Sequence, residues 1–346
     1  MDIIFKNTNE DWQQYIEDFL PFLDRDTKFA YMKPHIISAQ KDVFKTLGAD
    51  TFGIAIAAFA EETPLELHED ILYHFRLPIL IKAYQLYAPT NDLAHGNNGR
   101  KMRNKGDESN PFEWMINRDN QNQERSYYRE LDNLIAFLEK FDVWRNSETY
   151  KKQKALFVHS TEILDGHFPV NSRLLLLKLQ PGLKQAERKH IIPVIGIDLY
   201  EKLKSFILTT FSGDLEYYPE EAPAEPDEEE HSVELEPLEK ELLELAQEAT
   251  TYYALAWAMK RLKVTLFPEG ILQQYIGDRT TSLARKTPEN LETQLAAQEF
   301  NKDGDDVLVI IQNHIKDINT ETMEDVQSIL LDAQLTLSSS DKFFST

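Results

Sequence analysis

Apolar residues recur at helical spacing over most of the chain. Trp12, Tyr15, Ile16, Phe19 and Leu20 follow i, i+3, i+4, i+7, i+8, which marks one face of a helix. Thr8 or Asn9 stands where a cap is needed and Pro21 where the helix must stop. A second helical pattern begins near Asp26 and meets Pro34. Proline in a helix interior costs about 3 kcal/mol, so the pattern predicts two helical pieces with Pro34 in the first turn of the second. Pro181 is expected to be placed likewise. Leu67–Tyr87 predicts a long helix, interrupted or bent at Pro78, with Leu67, Ile71, Phe75, Leu80, Ala83 and Tyr84 inward. Glu124–Phe141 is helical in period, and WRNSETYKKQKALF after it predicts short helices. Leu238–Met259 is the clearest helix, with Leu238, Leu242, Leu245, Ala249, Tyr252, Ala256 and Met259 on one stripe. Further helices are expected near Asp305–Ile315 and Glu321–Gln334, and short strands at Ile3–Phe5 and Leu262–Phe267.

The pattern is written twice. With one inserted residue, Pro34, Ala39, Leu47, Gly48, Asp50 and Phe52 fall opposite Pro181, Ala186, Ile195, Gly196, Asp198 and Tyr200. The shared plan is proline, helix, Leu/Ile-Gly, helix, and each glycine reads as a turn that wants positive φ. Downstream, Leu67–Ala88 lies over Leu238–Met259 and, without a further gap, Gly99 over Gly270. Both arms then cross a polar stretch with a proline, Pro111 or Pro288. They end in Leu131, Leu134, Ile135, Leu138 and in Val307, Ile310, Ile311, Ile315. Order and spacing thus imply an internal duplication. The expected fold is mainly α: two tandem helical-bundle units with long polar loops and at most short β-strands. The units are expected at 1–142 and 169–346, joined by a bridge at 143–168.

Charge changes the picture in two places. The chain has 37 basic and 59 acidic residues, a net charge of −22, which disfavours a nucleic-acid backbone or an anionic membrane as main partner. Between Asp214 and Glu236 stand eleven acidic residues and no lysine or arginine, with Pro219, Pro223 and Pro226 interleaved. Such a composition predicts an extended loop. Glu228, Glu229 and Glu230 are its densest point and a candidate contact for a basic partner. Asn91–Asn122 is a glycine-, asparagine- and charge-rich stretch too long for a mere connection. Within it, Arg100, Lys101, Arg103 and Lys105 form a basic island suited to an acidic partner surface. Phe343 and Phe344, in the polar tail, are candidates for pinning by a neighbour.

Candidate chemistry is thin. The chain has no cysteine, so disulfides, thiolate zinc sites and cysteine nucleophiles are excluded. No GxGxxG, P-loop, HExxH or GxSxG occurs. His68-Glu69-Asp70 reads as a helix start. His190 has Val43 opposite it in the other copy and reads as a packing or surface residue. Asp303, Asp305 and Asp306 lack the glycine placement and twelfth-position glutamate of a calcium loop and read as acids capping a helix start. No enzyme, cofactor or metal is expected. The most apolar run, Gly53–Ala60, is too short to cross a bilayer, and a soluble chain is expected.

The duplicated proline-helix-(I/L)G-helix plan, the wording AERKHIIPVIGIDLYEKL, the WRNSETY bridge and the closing SDKFF resemble an uncharacterised family of phage and prophage structural proteins from Bacteroidetes. Their helical unit is similar to the head-tail connector (adaptor) proteins of tailed phages. The resemblance implies a virion component made in the host cytoplasm, a homo-oligomeric ring touching portal and tail proteins, and DNA met only in transit. The first copy departs from it, with Lys45-Thr46-Leu47-Gly48 where the second has IPVIG, and so does the acidic insert. The competing expectation is an acidic, DNA-mimicking protein that occupies a basic groove through residues 214–236.

Overall fold

The computed structural model describes residues 3–61, 63–91, 93–96, 99–102, 112–212, 234–262 and 292–316. In chain order these form α1 (Asn9–Phe19), α2 (Phe29–Leu47), α3 (Ala49–Ala60), α4 (Glu66–Asn91), a hairpin of β1 (Leu93–Gly96) and β2 (Gly99–Met102), α5 (Glu113–Leu138), α6 (Asp142–Arg145), α7 (Glu148–Lys154), α8 (Thr161–His167) and α9 (Arg173–Ala186). A π-turn (Glu187–Ile191) leads into α10 (Ile192–Ile195), followed by α11 (Ile197–Ser212), α12 (Pro237–Met259) and a helix over 292–316, α13. The architecture is mainly α, built as two compact helical units. Among the described residues the first takes 3–153, 170–178 and 262, the second 154–169, 179–261 and 292–316. The expected bridge, 143–168, is therefore divided between them. Trp144, on α6, is buried in the first core.

The first unit is organised on α4. Its buried residues, Ile71, Leu72, Phe75, Pro78, Ile79, Leu80, Ile81 and Ala83, take up more than one stripe because α1, α2, α3 and α5 all pack on it. Leu67, expected inward, is 51% exposed, since the helix leaves the core at that end. α1 starts as expected, with Thr8 Oγ1 accepting the Asp11 N–H, and buries Trp12, Tyr15 and Ile16. Burying each such large side chain stabilises by about 1.5–3 kcal/mol.

The second unit is organised on α12. Pro237 stands in its first turn, and Glu236 with Glu239 forms a capping box. The expected single stripe is wrong here too. Leu242, Leu243, Ala246, Ala249, Tyr253, Ala254, Leu255, Ala256 and Ala258 are all buried, because this helix is the centre of its unit.

Other expectations fail for tertiary reasons. Pro34 lies inside α2, not at a second helix start, and Pro181 lies inside α9. Of the two outcomes expected at Pro78, an interruption does not occur, since Pro78 is buried within a continuous α4. Packing along each helix outweighs the local cost of the missing N–H bond. Ile3–Phe5 is not a strand, although Ile4 and Phe5 are buried. Within Asn91–Asn122 the described residues form a hairpin and the first turns of α5, because a helix nucleated downstream extends at one bond per residue. Ile310 is 50% exposed. The expected features at Leu262–Phe267 and Glu321–Gln334 lie outside the described residues, Leu262 excepted.

The glycine corners behave as expected. Gly48 has φ 92°, ψ 169° and Gly196 φ 82°, ψ 160°. Each N–H bonds the carbonyl four residues back, to Phe44 at 2.9 Å and Ile192 at 3.0 Å. Each carbonyl accepts from the residue four ahead, Phe52 or Tyr200, at 3.2 Å. A Cβ at either would meet open space, so the constraint is the backbone angle alone. Gly48→Ala and Gly196→Ala should each cost about 1–3 kcal/mol in chemical denaturation.

Candidate functional site

The feature the two units share most closely is a buried clamp on the backbone of one residue. In the first unit the Ile4 N–H donates to Gln40 Oε1 at 3.3 Å, and its carbonyl accepts from Arg76 Nε at 2.9 Å. In the second the Phe157 N–H donates to Glu187 Oε1 at 2.6 Å, and its carbonyl accepts from Gln247 Nε2 at 3.2 Å. Gln40 follows Ala39 and Glu187 follows Ala186, already paired by the repeat. Arg76 and Gln247 stand 171 apart, as do Leu67 and Leu238. The residues ahead of each clamp helix correspond as well. Ser160 Oγ accepts the Ile163 N–H to cap α8, as Thr8 caps α1. The second copy thus begins near residue 155, well before Pro169. A buried N–H and carbonyl left open would each cost about 1–3 kcal/mol, so the clamp fixes the head of each unit.

The same geometry is achieved with different charges. Arg76 brings a cation into the first clamp, and its guanidinium lies 4.9 Å from the Tyr15 ring, 5.6 Å from Phe59 and 5.7 Å from Phe5. Burial lowers its pKa. In the second clamp the carboxylate of Glu187, 2% exposed, also accepts from Tyr200 Oη at 2.8 Å and pairs with Lys204 Nζ at 2.9 Å. Lys204 further donates to the Ala155 carbonyl and lies 4.8 Å from the Phe157 ring. Burial lowers the Lys204 pKa against the opposing pull of Glu187, and burial followed by Glu187 raises that of Tyr200. By the spacing of the glycine corners, Tyr200 and Lys204 correspond to Phe52 and Ile56. The second copy therefore carries a carboxylate–ammonium pair at the positions where the first has the uncharged Gln40 and Ile56.

Glu187 opens the π-turn, and this is where the copies differ in length. Ala39 and Ala186 are 147 apart and Leu47 and Ile195 are 148 apart, so the extra residue falls between 186 and 195 and is absorbed as the π-turn at Glu187–Ile191.

Chemically the cluster is a scaffold. Both Glu187 oxygens are engaged by the clamp, and Lys204 is spent on Glu187 and a carbonyl. His159, 1% exposed, donates from Nδ1 to the Phe157 carbonyl at 3.1 Å. Burial, aided by Lys154, pushes its pKa down to about 4. The unfolded imidazole titrates near 6.5, so it binds more protons than the folded one between these values. Stability present above pH 6.5 is then lost as pH falls toward 4, by about 3 kcal/mol in total. His159→Gln should flatten that part of the pH dependence of the second unit in urea unfolding.

A cleft of about 170 Å³ in the second unit is lined by Gln185, His190, Tyr253, Trp257, Lys260 and Arg261 among others. His190 stacks on Tyr253 at 3.7 Å, the packing role expected for it. Tyr253 Oη donates to Asp305 at 2.5 Å and Arg261 to the Trp257 carbonyl at 3.2 Å. Asp303, Asp305 and Asp306 sit inside α13 and not at its start. Gly304 between them is required because a Cβ there would fall 2.9 Å from the Tyr253 ring. At the head of α4, His68 Nδ1 accepts the Leu65 N–H. Among the described residues no group of three or more His, Asp or Glu is placed to hold a metal, and no helix is long and apolar enough to cross a membrane.

Of the basic island, Arg100 pairs with His95 and Lys101 with Ala94 across the hairpin. Arg103, Lys105, Glu228, Glu229, Glu230, Phe343 and Phe344 lie outside the described residues. The sequence reading missed the outer end of α5, where Phe112 is 68% exposed and Trp114, Met115 and Ile116 are also open to solvent. The signal was the run PFEWMI after Pro111. The corresponding run after Pro288, ENLET, is polar apart from one leucine, so the fold of a unit does not require it.

Residues 45–154 and 191–317 each match a family of unknown function (DUF6712). The chain belongs to that family. The two matched regions open just before the two glycine corners, Gly48 and Gly196. Neither the curated proteins nor the solved structures hold a match to it.

Proposed function

We propose that this DUF6712 chain is a non-enzymatic phage virion protein, a head-tail connector that forms a ring between portal and tail. The observation that carries the reading is the clamp. One helical scaffold is kept twice, its buried polar groups absorbed in fixing backbone, while the surfaces of the copies diverge. The open apolar end of α5 supports it further, since contiguous exposed apolar residues mark partner contacts. Two units per chain double the contact surfaces that a ring requires.

Mixed with the portal and tail proteins of its own particle, the chain is expected to form ring-shaped assemblies in electron microscopy. A chain that stays monomeric with every virion partner overturns the reading. The acidic run favours a rival, a DNA-mimicking protein. In that case deletion of 214–236 abolishes binding to a basic partner, whereas the connector reading expects ring assembly to survive the deletion.

A further inference from the structure

The first turns of α5 stand clear of their own unit. His74 on α4 stacks on Phe137 of α5 at 4.2 Å, and Lys82 Nζ lies 5.1 Å from the Tyr127 ring, so the two helices run antiparallel. From Lys82, α4 continues nine residues to Asn91, whereas α5 begins fourteen residues before Tyr127, at Glu113. At about 1.5 Å per residue, α5 overshoots α4 by about 7 Å. Trp114, Met115 and Ile116 are consecutive, each turned about 100° from the last. All three are exposed, as are Phe112, Arg118 and Asp119, so no side of this apolar tip is packed on the core.

The second unit carries the matching feature, the cleft of about 170 Å³ beside the end of α12. It is lined by Gly182, Ala186 and Ala256, which have little or no side chain, by Trp257, and by the stacked pair of His190 and Tyr253. A Cβ at Gly182 would fall 2.8 Å from the Trp257 ring. Lys260 lines the cleft too, is exposed, and makes no ion pair among the described residues. Drug-sized ligands fill about 300–1,000 Å³, and this cleft has room for one side chain. The first unit lacks its parts. At the spacings of 147 and 171 seen in the clamps, Gly182, Trp257 and Lys260 correspond to His35, Leu86 and Pro89, and the His35 ring lies against Tyr87 at 5.9 Å.

The tip stands on one unit and the cleft on the other, and each is open in the single chain. Their chemistry is complementary. Met115 and Asp119 lie one turn apart on one face of α5, a flexible apolar side chain followed by an anion. The cleft offers aromatic rings, which a thioether contacts favourably, followed one turn beyond Trp257 by the ammonium of Lys260. We propose that the α5 tip of one chain docks in the cleft of a second copy, with Met115 against the Trp257 and Tyr253 rings and Asp119 paired to Lys260. This contact is heterologous, so it closes a ring or extends a filament. It rests on the reading of the chain as a ring-forming component and names the surfaces by which each copy passes to the next.

The absence of cysteine makes the test direct. Full-length Asp119→Cys and Lys260→Cys chains, mixed and oxidised, should give a mixed cross-linked pair in excess of the pairs either gives alone. In sedimentation, Met115→Ala should weaken self-association about tenfold to thirtyfold. Asp119→Lys or Lys260→Asp should weaken it about threefold to tenfold, and the double reversal should restore it. All three side chains are exposed, so urea unfolding of each variant should match that of the wild type. Three outcomes overturn the proposal: a wild-type chain monomeric at every concentration reached with no cross-link, single substitutions without effect, or a double reversal no better than the single reversals. A chain carrying both cysteines that cross-links to itself as a monomer also overturns it, by joining the tip and the cleft of one copy. Head-to-tail cross-linking without binding to portal or tail removes the connector reading and keeps this contact. Portal-bound rings that do not cross-link do the reverse.

Discussion

Lys204→Ile is expected to destabilise the second unit by about 3–5 kcal/mol, the effect of leaving a buried carboxylate without its partner. Glu187 is almost inaccessible, with one oxygen on the Phe157 N–H and the other on Tyr200 and Lys204. Removing the ammonium leaves an uncompensated charge against the clamp. The first copy supplies the repair, since it holds Gln40 and Ile56 at these positions. Glu187→Gln combined with Lys204→Ile should recover most of the loss, because an amide still accepts the Phe157 N–H. Urea unfolding of the two singles and the double gives the coupling. If the double is as unstable as Lys204→Ile alone, the two clamps are not variants of one design.

The second large effect belongs to the first unit. Phe52 is fully buried and meets the rings of Phe44 at 5.8 Å and Phe75 at 5.4 Å. Phe52→Ala should cost about 3–5 kcal/mol through lost contact and the cavity left behind. Each unit has its own core, so this substitution should move one unfolding transition and Lys204→Ile the other. The two are separable by the fluorescence of Trp12 and Trp144 against that of Trp257.

What the sequence made legible was what local periodicity and backbone angle control. The apolar face of α1, the central helices and the two glycine corners follow from spacing and from the positive φ that only glycine takes without strain. Pro34 and Pro181 were misjudged because their cost is local while the packing that holds those helices is not. The clamps were invisible for a related reason. Ile4 reaches residues 36 and 72 positions away, and Phe157 lies in a stretch whose wording does not repeat that of the first copy. The equivalence of Gln40 with Glu187, and of Arg76 with Gln247, emerges only once both partners of each bond are seen. The apolar end of α5 was readable in PFEWMI, but the polar residues around it masked the run.

An experimental structure of the chain, with its two units superposed on their glycine corners, tests the duplication most directly. The account predicts that Ile4 falls on Phe157, Gln40 on Glu187 and Arg76 on Gln247, with both backbone groups of the clamped residue bonded in each. A second unit whose clamp is missing, or built from residues at other spacings, would contradict it.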